Sequence, residues 1–372
     1  MFLARCTLLV LIVSGCLAAA QESAQFNVVL DLNYLSAEKT LELYQGLSGH
    51  PQEVAQLRGS QIAMATTALL AQRALIAPML ERSLEAAKFN QALDDDVFRM
   101  KEARANVAAI KELLTETRRR NFGQKVVSTV EQLFPADVRI TTTIPLYFVA
   151  FGHNNIDAFV RRVVWKGNIP VFVGEGQGEL TIVVNLAKAV YYGQDVDERF
   201  LGMMSVVAHE LFHAAFGAYK DGSSAWRGYY STHHTYSDQL FDLAQNEGIA
   251  YYLSLIQRSH GNLRPDWLPK VGAAFDEFNK SVAELASPRI MPNRANELIR
   301  LSNTSGYWES YGSITGMIIA RQIDQTLGRM ALVETIARGP SDFFGKYVEL
   351  MKRDNNFPRL SDTVVRELGR SR

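Results

Sequence analysis

Cysteine is scarce in this sequence: two of its 372 residues are cysteines, Cys6 and Cys16. The chain after Cys16 therefore has no thiol, which excludes a cysteine nucleophile, a disulfide framework and cysteine-ligated zinc or iron–sulfur sites there. A net charge of either sign is also lacking, because lysine plus arginine and aspartate plus glutamate number 39 each. Such a chain has no general electrostatic attraction to nucleic acid, and we expect no nucleic-acid partner.

The sequence also lacks a run of about 20 consecutive apolar residues, the length that a membrane-spanning helix needs. The segment after Arg5 is uncharged from residue 6 to residue 20, but its dense apolar part covers only residues 8–13. A basic residue followed by a short apolar segment is typical of a signal peptide. We therefore expect residues 1–20 to be removed on export.

Two processing sites fit this segment. The three alanines at residues 18–20, before Gln21, match ordinary signal peptidase cleavage. Residues 13–16 have the sequence Val-Ser-Gly-Cys and resemble a bacterial lipobox, in which Cys16 would be lipidated and become the new N-terminus. The sequence thus predicts an exported protein, either periplasmic or attached to the envelope membrane through Cys16, with secretion as the alternative.

The whole sequence has the composition of a soluble globular protein, with 47% apolar and 21% charged residues. Its organisation predicts an N-terminal helical region over 21–130, which is either a lobe of the protein or a propeptide, and a second domain over 131–372. That domain begins with β-branched and aromatic segments and continues with apolar residues at helical spacing. We predict an α+β fold that is mostly α-helical, with strands at 138–144, 146–150, 169–173 and 180–186 and helices at 197–219, 236–258, 268–286, 306–327 and 329–353. Three alternating glycines at residues 174–178 separate the last two strands and predict a hairpin turn.

The motif that carries chemistry is His209-Glu210-Leu211-Phe212-His213. Residues four apart lie on one face of a helix, about 5–6 Å apart at Cβ, so His209 and His213 can bind one zinc ion together. Glu210 would flank the metal without binding it and could take a proton from a water whose pKa zinc lowers to about 7. The flanking segments 200–208 and 214–216 contain neither proline nor charge. We therefore predict one Zn²⁺ site, with Glu210 as the catalytic base.

A catalytic zinc ion needs a third protein ligand. Glu247 follows His213 by 34 residues and lies in the middle of residues 237–257, whose apolar positions have helical spacing. A buried glutamate on a second helix, facing the first, would complete a His-His-Glu site. His233 and His234 are the alternative ligands, although such a pair more often lines a loop.

The motif at 209–213, followed by Asn246-Glu247-Gly248-Ile249-Ala250, resembles the gluzincin clan of zinc peptidases. More narrowly, it resembles uncharacterised bacterial families of zinc-dependent proteases, in which a tyrosine–glycine helix follows; residues 307–316 stand in that place. The resemblance covers about residues 180–330. It implies a zincin-like catalytic domain with the small sheet beside the motif helix, and a metallopeptidase that acts on a peptide or protein substrate.

The resemblance also implies a mechanism. Zinc polarises the scissile carbonyl, Glu210 takes the proton of the attacking water, and a further group stabilises the oxyanion. In gluzincins a tyrosine or histidine commonly has this last role, and Tyr311 is the first candidate, followed by Tyr307 and Tyr251. In this clan the edge strand near the zinc pairs with the substrate backbone, a role that we predict for residues 180–186.

Two other functions are compatible with the sequence. One is a non-catalytic envelope lipoprotein that binds a partner and keeps the motif helix as a structural or vestigial metal site. The other is hydrolysis of a different bond by the same zinc–water chemistry. Glu210 favours catalysis, because a structural zinc site is closed and needs no base.

Overall fold

The computed structural model describes residues 25–47, 49–93, 95–153, 157–174, 177–303 and 310–370. The predicted signal peptide with Cys16 and the candidate Tyr307 lie outside these residues. Within the described ranges the protein has a single five-stranded sheet and is otherwise mostly helical. The predicted fold class, α+β and mostly α-helical, is confirmed.

The sheet has the strand order β1-β2-β5-β3-β4. Strands β1, β2 and β5 are parallel, and β3 is antiparallel to both of its neighbours. The strands are β1 Gln25–Asn33, β2 Arg139–Val149, β3 Ala158–Lys166, β4 Ile169–Phe172 and β5 Glu179–Asn185.

Strand β1 lies in the region that we predicted to be helical. It pairs with β2 along all nine of its residues, so strands from both sides of residue 130 form one sheet. Its apolar residues Phe26, Val28, Leu30 and Leu32 alternate with other residues, and Val28 and Leu30 are buried. This period of two is the strand pattern, and it was present in the sequence.

Seven helices separate β1 from β2 in the described chain. They are α1 Leu35–Tyr44, α2 Pro51–Gln56, α3 Arg58–Leu70, α4 Ala77–Lys88, α5 Met100–Ala105, α6 Val107–Arg119 and α7 Phe122–Glu131. Their buried apolar side chains join those of the sheet and of the later helices in one hydrophobic core.

The predicted hairpin between β4 and β5 is wrong. These strands are not neighbours, because β3 lies between them and pairs with both. The segment that contains the glycines therefore connects strands on opposite sides of β3. Gly178 has a φ of +64°, a backbone conformation that favours glycine. Gly176 lies outside the described residues. The hairpin is formed instead by β3 and β4.

The helices after the sheet are α8 Leu186–Ala189, α9 Val196–Gly222, α10 Ser224–Thr232, α11 Tyr236–Ser259, α12 Leu268–Leu285, α13 Pro292–Ser302, α14 Tyr311–Leu327, α15 Arg329–Arg338, α16 Pro340–Arg353 and α17 Asp362–Arg370. The helices predicted at 197–219, 236–258 and 268–286 are α9, α11 and α12. The one predicted at 329–353 is divided at Gly339, which has a φ of +80° and precedes Pro340. Proline cannot donate the backbone hydrogen bond of a helix interior.

Helix α9 packs between the sheet and α11 and carries the H-E-x-x-H motif. Its start is fixed by Asp195, whose carboxylate accepts from the Glu198 backbone N–H at 2.9 Å. By length and composition α9 resembles a membrane-spanning helix, but 61% of its most apolar window is buried inside the fold. We interpret it as a core helix.

Helices α11 and α14 touch through two glycines. A Cβ atom on Gly248 would lie 2.2 Å from the carbonyl carbon of Gly316, and a Cβ atom on Gly316 would lie 1.8 Å from the Ala244 oxygen. Both obstacles are backbone atoms, so side-chain rotation cannot relieve them. This contact fixes the position of the part of α11 that carries Glu247, the residue next to Gly248.

Gly316→Ala is therefore expected to lower the free energy of unfolding by about 3 kcal/mol, the upper part of the range for overpacked cores. The matched control is Gly272→Ala on α12, because a Cβ atom there meets nothing within 4 Å. Alanine at an open helical position should stabilise the protein by about 0.5–1 kcal/mol. Thermal or urea unfolding measures both, and equal stability of the Gly316→Ala variant and the wild type would contradict the close helix contact.

Candidate active site

Helices α9 and α11 bring three candidate metal ligands together. The Nε2 atoms of His209 and His213 lie 3.0 Å apart, since the two residues are one helical turn apart on α9. Glu247 of α11 places its Oε2 atom 3.4 Å from Nε2 of His213 and 3.7 Å from Nε2 of His209. The three side chains form a group of residues with the spacing of a metal site.

These distances fit one zinc ion. A tetrahedral ion with bonds of about 2.0–2.1 Å has ligand atoms roughly 3.3 Å apart, and the three observed separations scatter around this value. Two imidazole nitrogens and one carboxylate oxygen are ligands that zinc accepts. Three protein ligands leave the fourth position for water or substrate, which is the arrangement of catalytic rather than structural sites.

Two asparagines form hydrogen bonds with the candidate ligands. The Nδ1 atom of His213 lies 3.0 Å from Oδ1 of Asn246, and Asn303 donates from Nδ2 to Oε1 of Glu247 at 2.7 Å. An Nδ1–H donated to Asn246 leaves the Nε2 lone pair for a metal. Neither asparagine was predicted from the sequence to have a role. Asn246 directly precedes Glu247, whereas Asn303 reaches the site only through the tertiary fold.

The His213 ring and the Glu247 carboxylate interact electrostatically. Burial acts to lower the pKa of His213. The Glu247 carboxylate, together with smaller effects of Glu210 and Asn246, outweighs burial and raises this pKa to about 9. Burial acts in the opposite sense on Glu247, yet the two histidines hold the pKa of that carboxyl well below its usual range. The lowered pKa favours the ionised carboxylate of Glu247, which is the form in which a carboxyl group binds a metal.

Glu210 lies beside the ligands but outside the group. Desolvation raises the pKa of its carboxyl, and the neighbouring histidines act against that rise. The side chain is half-buried and lines a cleft of about 1540 Å³ that also contains His209, His213 and Glu247. A carboxyl group with a raised pKa at the wall of a cleft is suited to proton transfer.

The tyrosine candidates differ in position. Tyr251 lines the cleft, and its ring packs edge-on against His209 with centroids 4.8 Å apart. The Tyr311 hydroxyl donates to the Leu298 carbonyl oxygen at 2.7 Å, and burial raises its pKa to about 12. The structure does not bring Tyr311 into the wall of the cleft, because its hydroxyl points to the backbone of α13.

The alternative histidine ligands lie away from the cluster. The His233 ring stacks on Tyr229 with centroids 3.9 Å apart, and its Nδ1 atom lies 2.9 Å from the Tyr229 carbonyl oxygen. His234 has its Nε2 atom 3.0 Å from the carbonyl oxygen of Ser231. Both residues belong to the turn after α10 rather than to the metal-ligand group.

The strand with an unpaired edge at the cleft is β3, whereas the predicted strand β5 contributes Leu180 to the cleft lining but is internal in the sheet. Strand β5 is not at the edge, since residues 182–184 are paired with β2 on one side and β3 on the other. In β3, residues 158–161 pair with β5, while β4 covers only residues 163–166 from the other side. Within the described chain, residues 158–161 therefore present a free edge, and they line the cleft together with Glu210.

The direction of the backbone at this edge follows from two hydrogen bonds. The Asp157 carbonyl accepts from Asn185 on the β5 side, and the Arg162 carbonyl accepts from Val173 on the opposite side. Residues two apart in a strand direct their N–H and C=O groups the same way. The backbone groups of Val160 therefore point away from β5, toward the free edge.

Comparison with known proteins supplies one match. A family model covers residues 52–356, and the family is described as "putative zinc dependent peptidase (DUF5700)". No curated protein and no solved structure matches the chain. Because the matched range is more than half of the 372 residues, the chain belongs to the family that carries this description.

Proposed function

We propose that this protein is a gluzincin-type zinc peptidase that hydrolyses peptide bonds with Glu210 as the general base. The observation that carries the proposal is the cluster of His209, His213 and Glu247, with ligand atoms 3.0–3.7 Å apart beside a second glutamate that lies outside the ligand group. Membership of a family of zinc-dependent peptidases supports it. One bound zinc ion would act as a Lewis acid and lower the pKa of water to about 7.

The remaining steps of the proposed mechanism depend on side chains of the protein. His209, His213 and Glu247 would hold the metal, and Asn246 would keep the His213 ring in the tautomer that ligation needs. Glu210 would accept the proton of the attacking water and later pass it to the leaving amine. Its partly desolvated position keeps the carboxyl basic enough for this exchange.

Tyr251 is our candidate for stabilising the oxyanion, in place of Tyr311. It lies in the cleft wall beside His209, whereas the Tyr311 hydroxyl is engaged by Leu298. Tyr251→Phe should lower kcat roughly 10²–10³-fold, as loss of an oxyanion donor does, with little change in KM. Steady-state kinetics beside Tyr311→Phe test the assignment; a larger kcat defect in Tyr311→Phe would reverse it.

The free edge of β3 is the place where an extended substrate would pair. The Val160 N–H and C=O point to this edge, so a peptide could add to the sheet there through main-chain hydrogen bonds. Val160→Pro removes one outward N–H without removing a bond to β5. We expect KM to rise about 3- to 10-fold, the value of one hydrogen bond, while Val160→Ala serves as the control that keeps the N–H. Equal KM values for the two variants would count against pairing at this edge.

We also propose that the protein is exported and that lipidated Cys16 attaches it to the envelope membrane, with an unlipidated periplasmic or secreted form as the alternative. The support is the Val-Ser-Gly-Cys sequence at residues 13–16. The mass of the mature N-terminal peptide distinguishes a lipid-modified Cys16 from a free N-terminus at Gln21.

A further inference from the structure

The cleft is rich in cationic side chains, and carboxylates neutralise several of them. Its lining includes five arginines and lysines whose hydrogen bonds or ion pairs are resolved. Three of them pair within 3.0 Å: Arg162 with Asp221, Lys220 with Asp242, and Arg264 with Asp266. A fourth, Arg258, donates to the Ser205 hydroxyl at 3.2 Å. Arg161 is the fifth and differs from the others.

Arg161 has no carboxylate of its own within ion-pair distance in the described chain. Its Nη1 atom donates to the Val160 carbonyl oxygen at 2.9 Å, and its guanidinium carbon lies 5.1 Å and 5.6 Å from the ring centroids of Phe159 and Phe172. Its Nε atom is buried and has no hydrogen-bond partner. Of the five guanidinium N–H donors, one on Nη1 therefore has an acceptor and the buried Nε donor has none among the described residues.

This environment is unfavourable for a cation unless a ligand completes it. Burial lowers the pKa of Arg161, and the charge of Glu210 acts against that shift. A buried cation needs a counter-charge and hydrogen-bond acceptors to offset its desolvation. Glu210 cannot supply both, since its carboxylate is the proposed acceptor of the water proton.

The position of Arg161 indicates what would supply the missing charge. Its guanidinium bonds to the outward carbonyl of Val160, so it lies on the free edge of β3 where we place the substrate backbone. It also lines the same cleft as Glu210. Guanidinium presents a planar fork that matches the two oxygens of a carboxylate.

The geometry points to Arg161 as the residue that binds a carboxylate of the substrate, close to the bond that is cut. The inference rests on the proposed function and names a substrate class for it: peptides that carry a carboxylate close to the cleaved bond. The carboxylate has two chemical sources, either an aspartate or glutamate side chain or the C-terminal carboxylate of the peptide. The first would make the protein an acid-selective endopeptidase and the second a carboxypeptidase-like enzyme.

The test compares wild type, Arg161→Gln and Arg162→Gln, each loaded with zinc. Arg162 is a matched control, since it lies next to Arg161 in the same strand and cleft but is paired with Asp221. The probes are two mixed peptide libraries, one with free C-terminal carboxylates and one with C-terminal amides. Mass spectrometry records the residues around each cut and the rate for each library.

We expect wild type and Arg162→Gln to prefer carboxylate-bearing peptides by on the order of 10- to 100-fold in kcat/KM, the effect of a charge-assisted bidentate contact. Arg161→Gln should lose this preference. Enrichment of aspartate or glutamate near the cut identifies a side-chain carboxylate, and preference for the acid library identifies the C-terminus. Absence of both preferences in wild type, or their persistence in Arg161→Gln, would overturn the inference.

Binding provides a readout that needs no turnover. Calorimetry of a zinc-loaded Glu210→Gln background with the same libraries should show tighter binding of acidic peptides, and addition of Arg161→Gln should abolish the difference. If Arg161→Gln does not fold, Arg161→Lys keeps the charge without the fork and should show an intermediate preference. Failure of wild type to cut any peptide counts against the proposed function, whereas the binding difference still decides the role of Arg161.

Discussion

Glu210→Gln is expected to retain zinc and to lose turnover by roughly 10²–10⁴-fold or more, the range for a missing general base. Glutamine has nearly the same shape as glutamate but cannot accept the proton of the attacking water. Glu210 lies outside the ligand group, so the three atoms that would hold the metal are untouched. The defect should therefore appear in kcat, with zinc content near that of wild type.

The control for this change is Glu277→Gln, because Glu277 is exposed on α12 and lies outside the cleft lining. It should behave as wild type in both assays. A Glu210→Gln variant that keeps full activity would remove Glu210 from the mechanism. One that loses zinc would show that Glu210 is a ligand.

Glu247→Ala should lose both zinc and activity. Its Oε2 atom is the only carboxylate oxygen in the described ligand group, and without it two imidazoles remain. Loss of an outer hydrogen-bond partner costs about 10–100-fold in metal affinity, and loss of a ligand should cost more. Titration with a zinc-binding dye measures the affinity.

Asn246→Ala supplies the graded comparison for this experiment. It removes the partner of the His213 ring but no ligand, so its zinc affinity should fall between wild type and Glu247→Ala. If Glu247→Ala binds zinc as tightly as Asn246→Ala, then Glu247 is not the third ligand. His233 and His234 would then need to be tested, although neither lies near the cluster.

The parts of the site that the sequence predicts are those set by local geometry. The spacing of His209 and His213 places them on one helical face whatever the rest of the fold does. Glu247 was predicted as a ligand because it lies in the middle of residues 237–257, among apolar positions with helical spacing. The contact between Gly248 and Gly316 explains how α11 and α14 can approach closely. Only the tertiary structure shows that these two glycines meet.

The parts that the sequence does not predict depend on spatial order. Strand β3 was missed because Arg161 and Arg162 interrupt its apolar pattern, yet it forms the cleft edge. The β-branched residues of β5 predict a strand, but they do not predict its position in the sheet. Strand order in a sheet does not follow chain order, and β5 lies between β2 and β3. The Tyr311 hydroxyl meets a carbonyl of α13, a pairing that no sequence pattern encodes.

The central claim is that residues of α9 and α11 hold one catalytic zinc ion. Its most direct test is the metal content of the purified chain from Gln21 onward, measured together with cleavage of a mixed peptide library. The account predicts about one zinc per chain and metal-dependent cleavage that a chelator abolishes and added zinc restores. A chain that takes up no zinc when zinc is supplied, or that holds zinc and cuts no peptide, would contradict it.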